Sequence, residues 1–421
     1  MSTSYGPGRY DSHYEEKGLD YPIGYVRWTE NRNMMSCLQF MKDKTINIDK
    51  YITHRFKFEK VQEAYQLILS QEENYVGVLL EYDVEKKINS SIILNKSYHP
   101  VSNINIGFIG AGAFAQNFLL PEIKRKAKLV GVATAHGNTS YNMARKYGFQ
   151  FATNDADEII FNDDINTVFI VTRHDLHVEY ILKALKNKKN VFVEKPLALT
   201  IERLEDIKKV YEESGPEARL MLGFNRRFAP HVKKMMSVFS KRSPKAIMYR
   251  INAGAVSNDH WVHDKDIGGG RIIGEVCHFV DLAMFIAESR ITSVSAQVLN
   301  KPNNLLDTLV CNIGFENGSI ANISYFSNGN KKVPKEYLEV FSGGQVVVID
   351  DFKKMTVYSQ KTSKYRLLKQ DKGYSEEVVQ FLDAINKGSV SPIAFEDIYL
   401  STRATFKILE SIKNNNTVLI N

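Results

Sequence analysis

The sequence predicts an α/β domain built on a doubly wound parallel sheet, followed by an α+β domain with a large, open, mostly antiparallel sheet. Three observations support this prediction. A β-branched run that starts at Ile104 ends in Gly110-x-Gly112-x-x-Ala115, strands and helices then alternate to about residue 225, and apolar residues alternate with period two from about residue 245. Strands that alternate with helices predict parallel pairing, whereas period-two runs separated by turns predict antiparallel pairing.

The glycine-rich turn is the first segment that indicates a ligand. Gly110 allows a tight turn, Gly112 lets a pyrophosphate approach bare backbone, and Ala115 is small enough for helix to pack on strand. The following helix, expected from about residue 114 to 126, supplies free N–H groups and a positive dipole end. We therefore expect a dinucleotide-binding turn; the alternative is a purely structural βα turn. Its expected contacts are Gly110, Gly112, Ala113, Phe114 and Ala115.

Residues 104–225 are predicted to form this NAD(P)-binding Rossmann domain, with right-handed crossovers between parallel strands. Its further strands are expected at 128–133, 167–171, 191–193 and 220–223, and its helices at 139–147, 176–188 and 201–214.

Residues 226–421 are predicted to form the α+β substrate and oligomerisation domain. Strands are expected at 245–253, 291–299, 308–315, 320–326, 337–342, 345–349 and 354–359. Amphipathic helices at 376–386 and 397–413 are expected to pack back onto the nucleotide domain or its interface. A large open sheet favours a homo-oligomer formed through its outer face.

Composition narrows the class of protein. With 421 residues, 43% hydrophobic and 24% charged, the chain is long enough for two or three ordinary globular domains. The net charge of +7 comes from scattered lysines and arginines, which disfavours a nucleic-acid partner. Three separated cysteines disfavour a disulfide framework, and the first residues carry no apolar signal core. We expect a cytoplasmic protein without a membrane segment.

The end of the second predicted strand bears on cofactor choice. An NAD-binding chain usually places Asp or Glu there to hold the ribose diol. Here Thr134 takes that place, 22 residues after Gly112. Without a carboxylate nothing repels a 2′-phosphate, so the sequence favours NADP over NAD and leaves dual use open.

A lysine stands at the end of another predicted parallel strand, in Val193-Glu194-Lys195-Pro196. Ligands of open parallel sheets bind beyond the carboxyl ends of the strands. Burial near a cofactor would suit Lys195 to donate or accept a proton. The alternative is a surface lysine in a strand–helix connection.

A third segment runs from Gly268 to Asp281. Its glycines predict a loop, and a helix is expected from 272 to 286. Glu275, His278 and Asp281 are spaced three apart, so they share one helix face. His278 is a catalytic candidate with Glu275 beside it; the alternative is a satisfied core histidine. A metal site would have to use His260, His263, Asp264, Cys277 and His278. Their spacing does not match known ligand patterns, so no metal is expected.

These motifs, in order and spacing, resemble the glucose–fructose oxidoreductase/inositol dehydrogenase (Gfo/Idh/MocA) family over about residues 104–420. The matching segments are Ile106–Gly112, Thr172–His177, Glu194–Pro196, Gly223–Pro230 and Gly268–Asp281. The resemblance implies Lys195 as catalytic lysine, a cis Lys195–Pro196 peptide at the nicotinamide pocket, and His278 facing the substrate. Family members transfer hydride between the nicotinamide and a sugar or polyol carbon.

The remaining site residues are expected around that centre. The cofactor is expected to contact Thr134, Thr172, Arg173, His177, Glu194, Lys195 and Pro196. The substrate is expected to contact Lys195, Asn225, Arg226, His260, Trp261, Asp264 and His278. A sugar, nucleotide sugar or polyol is the expected substrate.

The chain departs from the family pattern at two positions. Gly274 stands where the family often has an Asp four residues before its histidine, and Glu275 is the nearest carboxylate. Thr172-Arg173-His174 replaces the usual Thr-Pro-Asn. The missing Asp favours an alternative function, a non-catalytic dinucleotide-binding regulatory or interaction protein of the same fold.

Residues 1–85 are predicted to be a separate piece, with 86–103 as a polar linker. Helices are expected at 32–41 and 59–70, and a buried strand at 75–82. Tyr5–Asp11, Tyr25–Asn33 and Ile52–Phe56 resemble the C-terminal end of a zinc-type alcohol dehydrogenase. The resemblance implies a remnant or docking appendage without that family's chemistry. The joining of two such parts resembles a bacterial arrangement associated with surface polysaccharide synthesis.

Overall fold

The computed structural model describes residues 5–84, 91–94, 104–215, 217–240, 243–299 and 305–420. The chain divides into two compact units, Met1–Ile88 and Asn89–Asn421. The boundary falls in the predicted linker, most of which lies outside the described residues. One stretch of that linker, Ser91–Ile93, is a strand instead, because it pairs antiparallel with Phe151–Thr153 at the edge of the second unit's first sheet.

The first unit is a small α/β arrangement. Its elements are α1 (Ser12–Glu15), α2 (Glu30–Lys42), β1 (Ile52–Lys57), α3 (Val61–Ser70) and β2 (Gly77–Glu81). Strands β1 and β2 pair in parallel, and α3 connects them in sequence. The strand expected at 75–82 is shorter and none of its residues is fully buried. Strand β1 was not expected. Large apolar side chains such as Trp28, Leu38 and Leu69 are exposed in this unit.

The second unit begins with the parallel sheet. Its strands are β3 (Ser91–Ile93), β4 (Asn105–Ile109), β5 (Lys128–Ala133), β6 (Phe151–Thr153), β7 (Thr167–Ile170), β8 (Asn190–Val193) and β9 (Leu220–Leu222), in the order β3-β6-β5-β4-β7-β8-β9. Its helices are α4 (Leu120–Lys126), α5 (Gly137–Tyr147), α6 (Asp157–Ile160), α7 (His177–Lys186) and α8 (Ile201–Glu213). All pairs except β3–β6 are parallel, which confirms the predicted doubly wound sheet.

The sheet's core explains why these short runs become central strands. Strands β4, β7 and β8 are buried on both faces, as β-branched and aromatic runs favour. Phe108, Phe169 and Phe192 stack across neighbouring strands with ring centroids 5.4 and 4.8 Å apart. Fully buried aromatic side chains supply much of the apolar burial that holds such a core together.

The second sheet has nine strands: β10 (Ala246–Asn252), β11 (Ile291–Val298), β12 (Leu309–Phe315), β13 (Ile320–Phe326), β14 (Glu336–Ser342), β15 (Gln345–Asp350), β16 (Lys354–Tyr358), β17 (Ser363–Arg366) and β18 (Val418–Leu419). Their order is β17-β16-β15-β14-β10-β13-β12-β11-β18. Only β10 and β13 pair in parallel. The predicted mostly antiparallel sheet is confirmed.

Four helices accompany this sheet: α9 (Pro230–Met236), α10 (Cys277–Ala287), α11 (Tyr374–Asn386) and α12 (Phe395–Asn414). Of the last two, α11 lies against α4, and α12 lies against α8, α10 and β11. Within the described part of the chain, none of the helices combines the length and apolarity needed to cross a bilayer.

Candidate active site

A cavity of about 820 Å³ opens at the carboxyl ends of β4, β7 and β8. We call it the site cavity. It is lined by Gly112, Ala113, Phe114, Val171, Thr172, His174, Glu194, Lys195, Arg226, Trp261, Val262, Gly274, Glu275, His278, Phe279, Lys335 and Tyr374. Parallel strands point their carboxyl ends to one edge, so loops distant in sequence meet there. The glycine turn, the lysine and the histidine therefore share one cavity.

The glycine turn has the geometry that a dinucleotide needs. Gly110 has a φ of +86°, and a Cβ there would lie 2.3 Å from the carbonyl oxygen of Val171. Nothing lies within 4 Å of the place where a Cβ of Gly112 would be, so its backbone faces open space. Ala115 is fully buried at the start of a π-helical segment, Ala115–Leu119, that leads into α4. The residues present fit a nicotinamide dinucleotide along this edge.

Cofactor choice depends on the end of β5. Thr134 follows that strand, and its hydroxyl donates to the carbonyl oxygen of His136 at 2.8 Å. Helix α5 begins at Gly137, so its N-terminus lies just beyond Thr134. A helix N-terminus favours an anion such as a phosphate.

His177 was expected to contact the cofactor, but it does not line the site cavity. Its side chain is fully buried, with Nδ1 2.8 Å from the carbonyl oxygen of Pro196 and Nε2 3.3 Å from that of Thr172. Burial lowers the pKa of His177, so the ring is neutral and its single N–H donates to one of these two carbonyl oxygens. Arg173 does not line the cavity either, but its guanidinium lies 6.0 Å from the ring centroid of Trp261.

Lys195 reaches the cavity from the end of β8. The Lys195–Pro196 peptide is cis, and the Lys195 amine donates to the carbonyl oxygen of Gly274 at 2.9 Å. This bond joins the nucleotide domain to the segment that carries His278. The hydrogen bond to this carbonyl uses one N–H of the Lys195 amine, so the other positions on the nitrogen are available to a substrate oxygen.

Two buried carboxyls, Glu194 next to Lys195 in sequence and Glu377 on α11, interact with each other. Glu194 has one oxygen, and Glu377 two, that are buried without a hydrogen-bond partner among the described residues. Burial raises the pKa of both, and the charge of Glu194 raises that of Glu377 further. Glu194 lines the site cavity, and its carboxylate group lies beside Gly223. Glu377 was not expected from the sequence, because only the packing of α11 brings it to this place.

Glu275 and His278 both line the cavity. Glu275 pairs with Arg271 at 2.8 Å and accepts from the Tyr325 hydroxyl at 2.8 Å. Burial alone would raise the pKa of Glu275, but the Arg271 hydrogen bond and charge outweigh it and lower the value. Burial lowers the pKa of His278 well below its usual range, so the ring is neutral. Its Nδ1 is buried with no hydrogen-bond partner in the described structure, while the ring as a whole lines the cavity.

Asp281, the third of the residues spaced three apart with Glu275 and His278, has another role. Asp281 does not line the cavity but forms a buried ion pair with Arg227 at 2.6 Å. Arg227 also bonds Asp397 of α12 at 2.9 Å. This pair fixes α10 against α12 and the 225–228 segment, and so positions His278.

The two departures from the family pattern lie against each other. A Cβ on Gly274 would lie 3.0 Å from Cε1 of His174, whose Nδ1 is 2.8 Å from the Gly268 carbonyl oxygen. Burial lowers the pKa of His174 to about 3, so the ring is neutral. The imidazole therefore occupies space that a side chain at position 274 would need.

Gly274→Asp is accordingly expected to lower the free energy of unfolding by about 1–3 kcal/mol, the usual cost of overpacking. Denaturant unfolding of the purified variant measures this loss, with Gly274→Ala as the smaller control. Adding His174→Asn should recover at least half of it. A Gly274→Asp variant as stable as the unsubstituted chain would contradict this account.

A cationic cluster surrounds the far wall of the cavity. Arg226 binds Glu336 through two nitrogens at 2.8 and 2.9 Å, and Lys372 binds the same carboxylate at 2.7 Å. The hydroxyl of Tyr249 also donates to it. Burial opposes ionisation of Glu336, but the charges of Arg226 and Lys372 keep its pKa well below the usual range. Only Arg226 of this cluster was expected, because Glu336 lies more than a hundred residues away in sequence.

Three expected substrate residues do not line the cavity. Asn225 is fully buried and donates to the Lys372 carbonyl oxygen at 2.7 Å. Asp264 accepts from the backbone N–H groups of residues 266 and 267, which closes a turn. His260 accepts from the Val262 N–H and has its ring 5.6 Å from that of Trp261. Their local hydrogen bonds hold the loops that carry Arg226 and Trp261. Among the described residues there is no group of three or more metal-ligating side chains.

Comparison with known proteins agrees with this architecture. Residues 104–224 match the model of the GFO/IDH/MocA oxidoreductase family with its NAD-binding Rossmann fold, and residues 237–342 match the GFO/IDH/MocA C-terminal domain. Together these matches span more than half of the chain.

Individual relatives cover the second unit. An uncharacterized oxidoreductase of Bacillus subtilis is 26% identical over 69% of this chain and 89% of its own length. Myo-inositol 2-dehydrogenase of Thermotoga maritima is 24% identical over 75% of this chain and 98% of its own. A structure of levoglucosan dehydrogenase in complex with NADH and levoglucosan has a TM-score of 0.66 at 22% identity, covering 75% of this chain and 99% of that one.

Proposed function

The chain belongs to the GFO/IDH/MocA oxidoreductase family, and on that premise we propose that it interconverts a secondary alcohol and a ketone of a sugar, nucleotide sugar or polyol. The observation that supports this most is the meeting of Lys195, His278 and the Gly112–Phe114 backbone in one cavity. The alternative of a non-catalytic binding protein rested on the missing Asp. Glu275 lines the same cavity and supplies a carboxylate there, which weakens that argument.

The chemistry divides between cofactor and chain. The Gly112–Phe114 backbone would hold the nicotinamide cofactor, which would supply or take up the hydride. Lys195 accepts the hydroxyl proton during oxidation and returns it during reduction. Neutral His278, whose ring lines the site cavity, exchanges a hydrogen bond with the same oxygen and orients it. Glu275, held by Arg271, stays ionised and supports the positive charge that Lys195 acquires.

The test is a steady-state assay at 340 nm with NAD⁺ and NADP⁺ against a panel of polyols, sugars and nucleotide sugars. Turnover of a secondary alcohol, with the ketone product identified by mass spectrometry, supports the proposal. Tight NADPH or NADH binding without turnover of any panel member, in either direction, would favour the non-catalytic alternative.

We also propose that NADP is preferred over NAD. Thr134 offers no carboxylate to repel a 2′-phosphate, and the N-terminus of α5 begins just beyond it. Thr134→Asp is expected to raise the Kd of NADPH about tenfold or more by charge repulsion, with a smaller effect on NADH. Nicotinamide fluorescence titration measures both constants. Thr134→Asn, of similar size but neutral, is the control, and equal losses for both cofactors would contradict the preference.

The wider setting is also a proposal. We place the protein in the cytoplasm, as a homo-oligomer formed through the outer face of the nine-stranded sheet, without a nucleic-acid partner. Exposed apolar side chains on that sheet, such as Met248, Ile320 and Phe341, support the oligomer. A role in surface polysaccharide synthesis rests on analogy. The resemblance of the first unit to the end of a zinc-type alcohol dehydrogenase is consistent with its β1–α3–β2 arrangement.

A further inference from the structure

A second cavity, of about 610 Å³, lies at one end of the nine-stranded sheet, and we call it the basic cavity. It forms where β10, β15 and β17 end and where β14 and β16 begin. Six basic side chains and two aspartates line it: Lys331, Lys332, Lys335, Lys353, Lys354, Arg366, Asp350 and Asp351. The mechanism proposed above uses none of these residues.

The basic cavity adjoins the site cavity. Lys335 lines both of them. The next residue, Glu336, holds Arg226 in the wall of the site cavity. On the other side, Arg271 donates to the carbonyl oxygen of Gly254, which lines the basic cavity, and pairs with Glu275, which lines the site cavity. Lys335 therefore stands between a ligand seated at Lys195 and the basic cavity.

Within the described ranges of the chain, the charges that line the basic cavity are not balanced. Asp350 lies 3.8 Å from Lys354, and Asp351 accepts a backbone N–H from Glu336 at 3.3 Å. The two aspartates leave most of the six cations uncompensated. At the junction, Nη1 of Arg226 is buried without a hydrogen-bond partner among the described residues. A buried cationic donor without a partner is costly, so such a group indicates a place for an acceptor.

We propose that the substrate carries a phosphate group: its sugar ring lies at Lys195 and His278, and the phosphate extends past Arg226 and Lys335 into the basic cavity. This inference rests on the proposed function and narrows its substrate class. Lysines bind phosphate as mobile point charges, and guanidinium groups bind it through directed hydrogen bonds. A neutral polyol would fill the site cavity alone and leave these cations unused. A sugar phosphate and a nucleotide sugar share the chemistry that the cavity would recognise.

The experiment compares kcat/KM for neutral sugars, their 1-phosphates and the matching UDP-sugars. We expect phosphate-bearing substrates to exceed the neutral ones by about a hundredfold, as expected for two charge-assisted contacts. Equal values for 1-phosphates and UDP-sugars would assign recognition to the phosphate alone, and activity only with UDP-sugars would extend it to the nucleotide. A neutral sugar that performs as well as both would overturn the inference while leaving the proposed function in place.

The variant Lys331→Ala/Lys353→Ala tests the place of binding, because both side chains are exposed in the basic cavity and away from Lys195. We expect the preference for phosphate-bearing over neutral substrates to fall about tenfold or more, mainly through KM. Lys361→Ala, an exposed lysine outside the cavity, is the matched control. A double variant with an unchanged preference would overturn the inference.

A binding measurement keeps the test independent of turnover. Calorimetric titration with UDP at saturating NADPH, which occupies the cofactor's own phosphate contacts, should show binding that weakens about tenfold in the double variant. If no substrate is turned over but UDP binds in this way, the proposed function fails and the phosphate site stands. If UDP does not bind, or binds both proteins equally, the phosphate site fails.

Discussion

Lys195→Met is expected to reduce kcat by about two to four orders of magnitude, the usual contribution of a positioned proton-transfer group. Methionine keeps an unbranched side chain of similar length but cannot accept or donate the hydroxyl proton. The change also removes the 2.9 Å hydrogen bond to the Gly274 carbonyl oxygen. Stopped-flow or steady-state assays of the full chain, with the best substrate of the panel, measure the loss.

The same variant should retain most of its cofactor binding, because it changes one expected cofactor contact and leaves the glycine turn and the end of β5 untouched. Nicotinamide fluorescence titration measures the Kd of the cofactor, which we expect to change by no more than about threefold. A variant that binds the cofactor but does not turn over has lost its chemistry and not its fold. Lys186→Met, an exposed lysine on α7, is the control for a change of charge. A Lys195→Met variant with more than a tenth of the original kcat would remove Lys195 from its assigned role.

Arg227→Met is expected to reduce the free energy of unfolding by about 3–5 kcal/mol, because it leaves Asp281 as an unpaired buried carboxyl. Asp281 is 1% exposed and receives three short bonds from the Arg227 guanidinium. Denaturant unfolding followed by fluorescence measures the effect. Arg290→Met breaks the exposed pair with Glu396 and should cost less than about 1 kcal/mol.

The loss of unfolding free energy in Arg227→Met should depend on pH. Burial raises the pKa of Asp281 to about 6 even though Arg227 opposes that effect. A carboxyl with a higher pKa in the folded state binds protons preferentially there, so its contribution to stability falls as pH rises above the unfolded value. Without Arg227 the folded pKa rises further, and the variant should lose more at pH 8 than at pH 5. Adding Asp281→Asn should recover most of the loss; equal losses at both pH values would contradict the buried-charge explanation.

Local patterns identified the nucleotide half of the site. The strand predicted at 128–133 is β5 with the same bounds, and the glycine turn has the expected positive φ at Gly110. The strand and the glycine turn each depend on residues close together in sequence, where backbone sterics and side-chain alternation determine the conformation. Short edge strands such as Ser91–Ile93 were missed because their pairing depends on a neighbour far along the chain.

The sequence alone determined the fold class, the cofactor turn, and the candidates Lys195, Glu275 and His278. Tertiary structure decided which side chains share the cavity. It brought in Lys335, Tyr374 and His174, and it directed Asn225, His177 and Asp264 into hydrogen bonds that support loops. It also joined Arg226 to Glu336, which lies 110 residues further along the chain. Helical spacing shows which residues share a face, but only the packing of distant strands and helices determines whether that face meets solvent, core or ligand.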